Sequence, residues 1–344
     1  MAGATVEARS GMSFLVPRGR SRRHFVLACA GVLILAVIGL LTMMLGAVNL
    51  SAGEALTGLA ASSDSLSGLV VGQIRLPRFL DAILVGASLG VAGALLQGVT
   101  RNPLGDPTIF GLTAAAGLAT ATAISINPQI PQWGIVLAAM VGGLGGAGIL
   151  FVIAYRGAVS PVRLALAGVA LSALFGAITV GLIASVRTFI QTTLGFLAGG
   201  LYGSDWTDFR SILPYAIPAL AAALVFAGRL NVLSLGDEVA TGLGVLADRT
   251  RLAILVIAGV LTASAVAIAG LVGFVGLLSP HVARYVAGSD NRYLIPASAL
   301  VGAIIVTAAD LIAKLVITPS EIPMGIITAA VGAPFLLYLV RFKV

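Results

Sequence analysis

The chain alternates long uncharged stretches with short polar segments. Uncharged windows of membrane-helix length lie at 25–53, 82–100, 107–155, 164–186, 211–228, 252–283, 293–309 and 322–340. A helix needs about 20 residues to cross the hydrocarbon core of a bilayer. Each window therefore predicts at least one membrane-spanning helix.

Two of these windows are too long for a single span. In 107–155 the pair Asn127-Pro128 predicts a turn, and in 252–283 the stretch from Gly270 to Gly273 does the same. The pattern then predicts ten helices, near 26–48, 79–99, 108–126, 134–155, 164–186, 211–228, 252–270, 272–287, 293–316 and 323–340. An even number of spans places both termini on one side of the membrane.

The composition agrees with a membrane protein. Hydrophobic residues make up 59% of the chain and charged residues 10%, against about 25% charged residues in a soluble domain. Backbone amides left unpaired in hydrocarbon cost several kcal/mol each, so long apolar runs cross a membrane as helices. We therefore expect an all-α integral membrane protein with about ten transmembrane helices.

The distribution of basic residues predicts the orientation. With the N-terminus inside, fourteen of the twenty Lys and Arg residues fall on cytoplasmic segments, and only Arg75, Arg78, Arg187 and Arg210 fall on outer loops. Both termini are then cytoplasmic, with 1–24 as a basic tail and 25–344 as the transmembrane domain. Because the basic residues follow this topology, the net charge of +7 does not indicate a nucleic-acid binder.

Two outer loops are predicted to contain short helical segments. Residues 49–74 form a long loop in which we expect a short surface helix. The region 187–210 contains "TLGFLAGGLYGS", which is too short to span and predicts a half-helix or re-entrant segment.

Two motifs inside the apolar helices each have two interpretations. "GGLGGAG" (142–148) contains GxGxxG, but a dinucleotide site needs this pattern in a strand-to-helix turn, so helix packing is favoured. "GASLG" (86–90) matches the GxSxG elbow of hydrolases with Ser88. That chemistry needs a histidine base, and the chain has only His24 and His281. An intramembrane hydrolase is therefore a remote alternative.

Polar groups within the predicted spans leave alternatives open. Asp310 and Lys314 are i,i+4 neighbours with the acid first, which suits either a helical ion pair or a docking site for a partner. His281, beside Pro280, suits a structural hydrogen bond or proton transfer. Two histidines and one cysteine are too few for a zinc-type ligand shell, so no metal site is predicted.

One segment between spans is unusually polar: "SLGDEVATGLGVLADRTR" (234–251). Its acids follow Gly236, as expected at a helix N-terminus, and Gly242 and Gly244 interrupt it. The pattern predicts two short amphipathic helices along the membrane surface. A connector between antiparallel helices needs about 2–8 residues, so the extra length indicates a docking surface for another protein.

The chain lacks a phosphate-binding loop of its own. Its two lysines, Lys314 and Lys343, do not stand in a GxxxxGK[ST] motif. Any ATP is therefore expected to bind to another chain.

Four stretches resemble one protein family in order along nearly the whole chain. They are "QIRLPRFLDAILVGASLGVAGALLQGVTRNPLGDPTIFGLTAAAG" (73–117), "LNVLSLGDEVATGLGV" (230–245), "GLVGFVGLLSPHVARYVAGSDNRYLIPASALVGA" (270–303) and "EIPMGIITAAVGAPFLLYLV" (321–340). They resemble the FecCD family, the permease subunits of type II ABC importers for ferric siderophores, haem and vitamin B12. The family's ten-helix fold agrees with the number of spans predicted above.

The resemblance implies a set of partners. The permease would pair with a second copy or a sister permease in the lipid of the bacterial cytoplasmic (inner) membrane. A cytoplasmic ABC ATPase dimer would bind ATP and Mg²⁺, and an extracytoplasmic binding protein would deliver the substrate. The permease itself would bind no cofactor and would not be an enzyme.

The resemblance also implies site residues. The polar segment matches the family's coupling helices, with Asp237, Glu238, Gly242, Leu243, Gly244 and Val245 as the ATPase-coupling residues. Arg75 and Arg78 in "RLPR" match positions that receive acidic groups of the binding protein, and Lys314 provides a third basic contact. Interfacial anchoring is the alternative for Arg75 and Arg78.

The resemblance leaves the passenger open. An iron-siderophore complex is the first hypothesis, and haem or vitamin B12 is the alternative within the same architecture. A proton-coupled secondary transporter using Asp310 or His281 is the alternative from another class.

Overall fold

The computed structural model describes residues 18–60, 65–185, 195–318 and 320–342. These residues form helices, joined by loops that contain one isolated antiparallel bridge between Tyr155 and Val159. The all-α prediction is confirmed. Residues 1–17 of the predicted N-terminal tail and the start of the predicted half-helix lie outside the described residues.

All ten predicted helices are present. They are α1 (Arg18–Met44), α4 (Leu76–Thr100), α5 (Leu112–Ile126), α6 (Gln132–Ala154), α7 (Pro161–Ser185), α8 (Trp206–Ser234), α10 (Ala247–Ala269), α11 (Val275–Ala287), α12 (Asn291–Leu315) and α13 (Met324–Phe342). Shorter elements are α2 (Ala52–Ala60), α3 (Leu66–Gly68), a π-helix (Leu69–Arg75) and α9 (Asp237–Gly242). Helix α1 begins before the predicted start near 26, and α2 is the expected surface helix.

The long helices are not all of membrane-crossing length. Within the described residues, seven helical stretches are long and apolar enough to cross a bilayer. Helices α5 and α11 have 15 and 13 residues, which corresponds to only about 20 Å at 1.5 Å per residue. They have about two-thirds of the length of a full span.

The loop between α4 and α5 explains why α5 is short. It turns back along α4, because a Cβ on Gly105 would lie 2.8 Å from the backbone nitrogen of Gln97. Asp106 accepts a hydrogen bond from the Thr108 backbone at 2.8 Å, and it lies beside Gly276 at the start of α11. Helix α5 therefore begins at Leu112, later than the prediction near 108.

Helix α4 is the buried centre of the bundle, and glycines bring its neighbours into backbone contact. A Cβ on Gly86 would lie 2.2 Å from the carbonyl oxygen of Gly302 in α12, and a Cβ on Gly93 would lie 1.8 Å from that of Gly276 in α11. In a bilayer, small residues at helix interfaces allow such close approach and the van der Waals contact it brings. These glycines therefore bring the backbone of α4 into contact with those of α11 and α12.

The outer surface of the bundle is apolar, as a lipid environment requires. Leu33 in α1 and Leu166 in α7 are 65% and 67% exposed. Buried positions in α7 are few, namely Leu164, Gly168, Leu171, Thr179 and Ile183. Helix α7 therefore presents most of its side chains to its surroundings.

Candidate functional sites

The first candidate site is the polar connection between α8 and α10. Helix α9 begins at Asp237, whose Oδ1 accepts hydrogen bonds from Arg101 Nη2 at 2.5 Å and Arg251 Nη2 at 2.7 Å. Its Oδ2 accepts from Arg251 Nη1 at 2.9 Å. The Arg251 guanidinium, followed by that of Arg101, lowers the pKa of Asp237 below its ordinary value. Asp237 therefore fixes α9 to the bundle.

The two arginines tie α9 to the ends of neighbouring helices. Arg101 closes α4 in a left-handed conformation (φ 51°) and donates to the carbonyl of Leu233 in α8 at 2.7 and 3.0 Å. Arg251, in α10, is 1% exposed. The sequence assigned both residues only to the cytoplasmic basic excess, because nothing in their spacing identifies Asp237 as their partner.

The rest of the connection forms an exposed apolar and polar surface. Glu238, Gly242, Leu243 and Gly244 are exposed, whereas Val245 is half-buried and packs against the core. Ala240 points inward and is fully buried. The exposed large apolar side chains are Leu235, Val239, Leu243 and Leu246. We call Leu235, Glu238, Val239, Leu243 and Leu246 the α9 surface.

The predicted pair of short helices is replaced by one. Only α9 is a separate short helix, and the turn after it passes through Gly244 with φ +78°. The second half of the segment is the first turn of α10, which begins at Ala247 and continues into the membrane. The absence of a helix-breaking residue after Gly244 allows this continuity.

The second candidate site is an ionic cluster on the opposite side. Arg78 in α4 contacts Asp310 in α12 (Nη2 to Oδ1, 2.8 Å) and Glu321 before α13 (Nη2 to Oε2, 2.7 Å). Asp310 also pairs with Lys314 at 3.0 Å, which confirms the i,i+4 ion pair. Glu321 is the partner that the sequence analysis missed. The cluster joins α4, α12 and the loop that leads into α13.

The cluster faces a space inside the protein. Arg78, Asp310 and Glu321 line a cavity of about 950 Å³, together with Gln132 from α6 and Phe196 from a helical turn at 195–198. Charged groups in membrane proteins usually face such a cavity or one another. Arg78 and Lys314 are each 8% exposed. Any docking partner therefore has to compete with Asp310 and Glu321 for them.

Arg75 has a different environment. It ends the π-helix, is 7% exposed, and donates to the backbone carbonyls of Met43 and Val48. Met43 lies in the last turn of α1 and Val48 follows its end, so Arg75 closes the C-terminus of that helix. This arrangement matches the anchoring alternative, and the docking role of Arg75 stays a prediction.

The remaining motifs are part of the helix packing. Ser88 is fully buried in α4. In α6, a Cβ on Gly143 would lie 2.9 Å from the carbonyl oxygen of Gly259 in α10, so this glycine of the GxGxxG pattern serves helix contact, whereas a Cβ on Gly145 or Gly148 would meet no atom within 4 Å. His281 lies in α11 with its ring 5.6 Å from that of Phe335, and Pro280 is accommodated inside the helix.

Comparison with known proteins identifies the kind of molecule. The Fe(3+)-citrate import system permease protein YfmD of Bacillus subtilis is 41% identical over 310 residues, which cover 90% of this chain and 92% of the relative. The Fe(3+) dicitrate permease FecD of Escherichia coli is 39% identical over 89% of the chain and 95% of its own length. A cobalamin import permease of Halobacterium salinarum is 43% identical over 79% and 73%.

The fold and the family agree with these relatives. The solved structure of a metal-chelate type ABC transporter in an inward-facing conformation matches with a TM-score of 0.81 at 30% identity, covering 92% of this chain and 98% of that chain. The FecCD transport family matches residues 34–342. This chain, a multi-pass protein of the bacterial inner membrane, therefore belongs to the FecCD family of ABC importer permeases for iron-siderophore complexes, ferric citrate and vitamin B12.

Proposed function

We propose that this chain moves a ferric complex of the citrate or siderophore class inward across the membrane, driven by ATP that a partner ATPase hydrolyses. The observation that carries the coupling step is the α9 surface. It presents four large exposed apolar side chains beside Glu238, on and next to a helix that ion pairs hold in place. An exposed apolar patch with a polar rim is typical of a protein-docking site.

The passenger is proposed from the relatives. Two of those compared above import ferric citrate, and each aligns with about nine-tenths of this chain. The cobalamin permease aligns over a smaller share. Ferric citrate is therefore the first substrate to test, with a hydroxamate siderophore, haem and cobalamin as competitors.

The partners follow from the two sites. An ABC ATPase dimer, which binds ATP and Mg²⁺, would dock on the α9 surface. An extracytoplasmic binding protein would present carboxylates to Arg78 and Lys314. A second permease, either another copy or a sister chain, would cover the exposed apolar face of α7, on which Leu174 is 53% exposed.

Proton-coupled transport is disfavoured by the ionic cluster. Asp310 contacts both Arg78 and Lys314. Protonating this carboxylate would remove the charge that Lys314 contacts and leave Arg78 with Glu321 alone, which is costly for buried cations inside a membrane. Asp310 therefore serves better as a fixed counter-ion than as a proton carrier.

The deciding experiment is uptake of radiolabelled ferric citrate into proteoliposomes that hold this chain with its ATPase and binding protein. Uptake that requires internal ATP and resists a protonophore supports the proposal. ATP-independent uptake abolished by the protonophore would contradict it. Leu243→Asp should abolish ATPase docking, whereas Leu56→Asp, at an exposed position of α2, should leave it unchanged.

A further inference from the structure

The loop that leads into α7 is held by the coupling segment through a single residue. Val159 is 1% exposed and lies two positions before Pro161, where α7 begins. Its N–H donates to Asp248 Oδ1 at 3.1 Å. Its carbonyl oxygen accepts from Arg251 Nη1 at 3.0 Å. Both backbone polar groups of Val159 are therefore bound by side chains of the first turns of α10.

The same guanidinium also holds α9. Arg251 binds Asp237 with two parallel hydrogen bonds of 2.7 and 2.9 Å, and its Nη1 is shared with Val159. The planar, multi-donor guanidinium suits this bridging, and a lysine ammonium does not reproduce its geometry. Arg251 thus connects Asp237, the first residue of α9, directly to Val159, which lies two positions before the start of α7.

The connection is short and stiff. From Val159 the chain reaches the start of α7 through Ser160, and the Leu164 backbone already donates to the Ser160 carbonyl at 3.0 Å. The route along the covalent chain from α9 to α7 passes through α8 and the long outer region before it. A displacement of α9 therefore reaches the first turn of α7 most directly through Arg251 and Val159.

Helix α7 is suited to receive this motion. Five of its positions are buried, and Ala165, Ala167 and Phe175 also pack against the core, whereas side chains such as Val169 and Val180 are exposed. With 5 buried positions among its 25 residues, against 20 among 25 in α4, α7 shifts within this chain at a lower free-energy cost than α4, since its movement breaks fewer interactions.

We propose that Val159, Asp248 and Arg251, the Val159 clamp, transmit motion of α9 to α7 and so couple ATP hydrolysis to transport. Asp248 and Arg251 are positioning residues in this step, because they act through the backbone of Val159 and not on the passenger. This inference rests on the proposed function, in which α9 docks on the ATPase.

The test compares two substitutions at Asp248. Asparagine keeps an oxygen that accepts from the Val159 N–H, whereas alanine removes it. In proteoliposomes with the ATPase and binding protein, we measure ferric citrate transported per ATP hydrolysed. Asp248→Ala should lower this ratio about tenfold, the scale of one lost charge-assisted hydrogen bond, with ATP hydrolysis retained. Asp248→Asn should keep the ratio, as should the control Arg249→Ala at the exposed neighbouring position.

Two outcomes overturn the clamp. One is an unchanged ratio in Asp248→Ala, and the other is an equal loss in Asp248→Ala and Asp248→Asn, because the latter shows that only the charge matters. A wild-type complex without ATP-dependent uptake contradicts the proposed function instead.

A distance measurement judges the clamp independently of transport. Spin labels at the exposed positions Thr241 in α9 and Val162 in α7, in a Cys29→Ala background, report the separation of the two helices in the assembled complex by double electron–electron resonance. In the protein with an intact Val159 clamp, we expect a narrow distribution of the distance between the two labels, with and without ATP. In Asp248→Ala and Arg251→Lys we expect this distribution to broaden. Narrow distributions in both variants overturn the clamp.

Discussion

Substituting Gly86 by alanine tests whether backbone contact between α4 and α12 sets the geometry of the bundle. The added Cβ would lie 2.2 Å from the carbonyl oxygen of Gly302. Ordinary contact begins at 3.4 Å, so the helices have to separate by about 1 Å and lose packing along the interface. Overpacking of this kind costs about 1–3 kcal/mol.

The control is Gly145→Ala in α6, where no atom lies within 4 Å of the added Cβ. Alanine there should stabilise by up to about 1 kcal/mol through helix propensity alone. Gly302→Ala meets the Gly86 carbonyl at 2.1 Å and should resemble Gly86→Ala. The double variant should cost less than the sum, because the first substitution already separates the helices.

The assay is reversible unfolding in mixed detergent micelles with increasing dodecyl sulfate, followed by circular dichroism. We expect Gly86→Ala to unfold at lower dodecyl sulfate than wild type, and Gly145→Ala at equal or higher concentration. Equal midpoints for the two variants would refute the claim that this contact is intolerant of a Cβ.

Three further predictions address the two sites and the orientation. Asp237→Asn should lower the free energy of unfolding at neutral pH. Because Arg251 lowers the pKa of Asp237, the difference from wild type should persist above pH of about 4 and vanish as the pH falls through the lowered pKa, which a pH series of unfolding curves measures. Arg78→Gln should weaken docking of the binding protein, and Glu321→Gln should tighten docking because it removes a competing carboxylate. Surface plasmon resonance measures both affinities. No change in either variant would show that Arg78 is not part of the interface. A cysteine at Thr241 should react with an impermeant maleimide in inverted vesicles and not in intact cells, and the reverse result would invert the predicted orientation.

The positions of the spans were predictable because the signal is local. Uncharged windows and the turn residues Asn127-Pro128 and Gly270 define segments that need no knowledge of their neighbours. The prediction was less accurate at α5 and α11, because both begin inside the long uncharged windows 107–155 and 252–283. Hydropathy reports that a segment avoids water. It does not distinguish a helix that spans the membrane from a shorter helix followed by a re-entrant loop, since both are buried from water.

The candidate site residues likewise include some that a local sequence signal identifies and some that it does not. The polar segment at 234–251 was recognisable because its composition differs from that of the spans, and Glu238 and Leu243 are indeed exposed. The ion pairs of Asp237 with Arg101 and Arg251 were not predictable from the sequence. Its partner Arg101 lies 136 positions away in the chain, and a charged residue in a sequence does not specify which opposite charge it meets.

The sequence alone therefore determined that this protein lies in a membrane, that it is all-α, and which of its segments contact water. These properties follow from burial of apolar groups and satisfaction of backbone hydrogen bonds, which act residue by residue along the chain. Only the tertiary structure decided that Arg78 contacts Asp310, 232 positions away, and that Arg251 joins Asp237 to Val159. Such contacts depend on how α4, α10 and α12 pack. That packing is set by the shapes of facing surfaces, such as Gly86 against Gly302, and not by the order of residues within either helix.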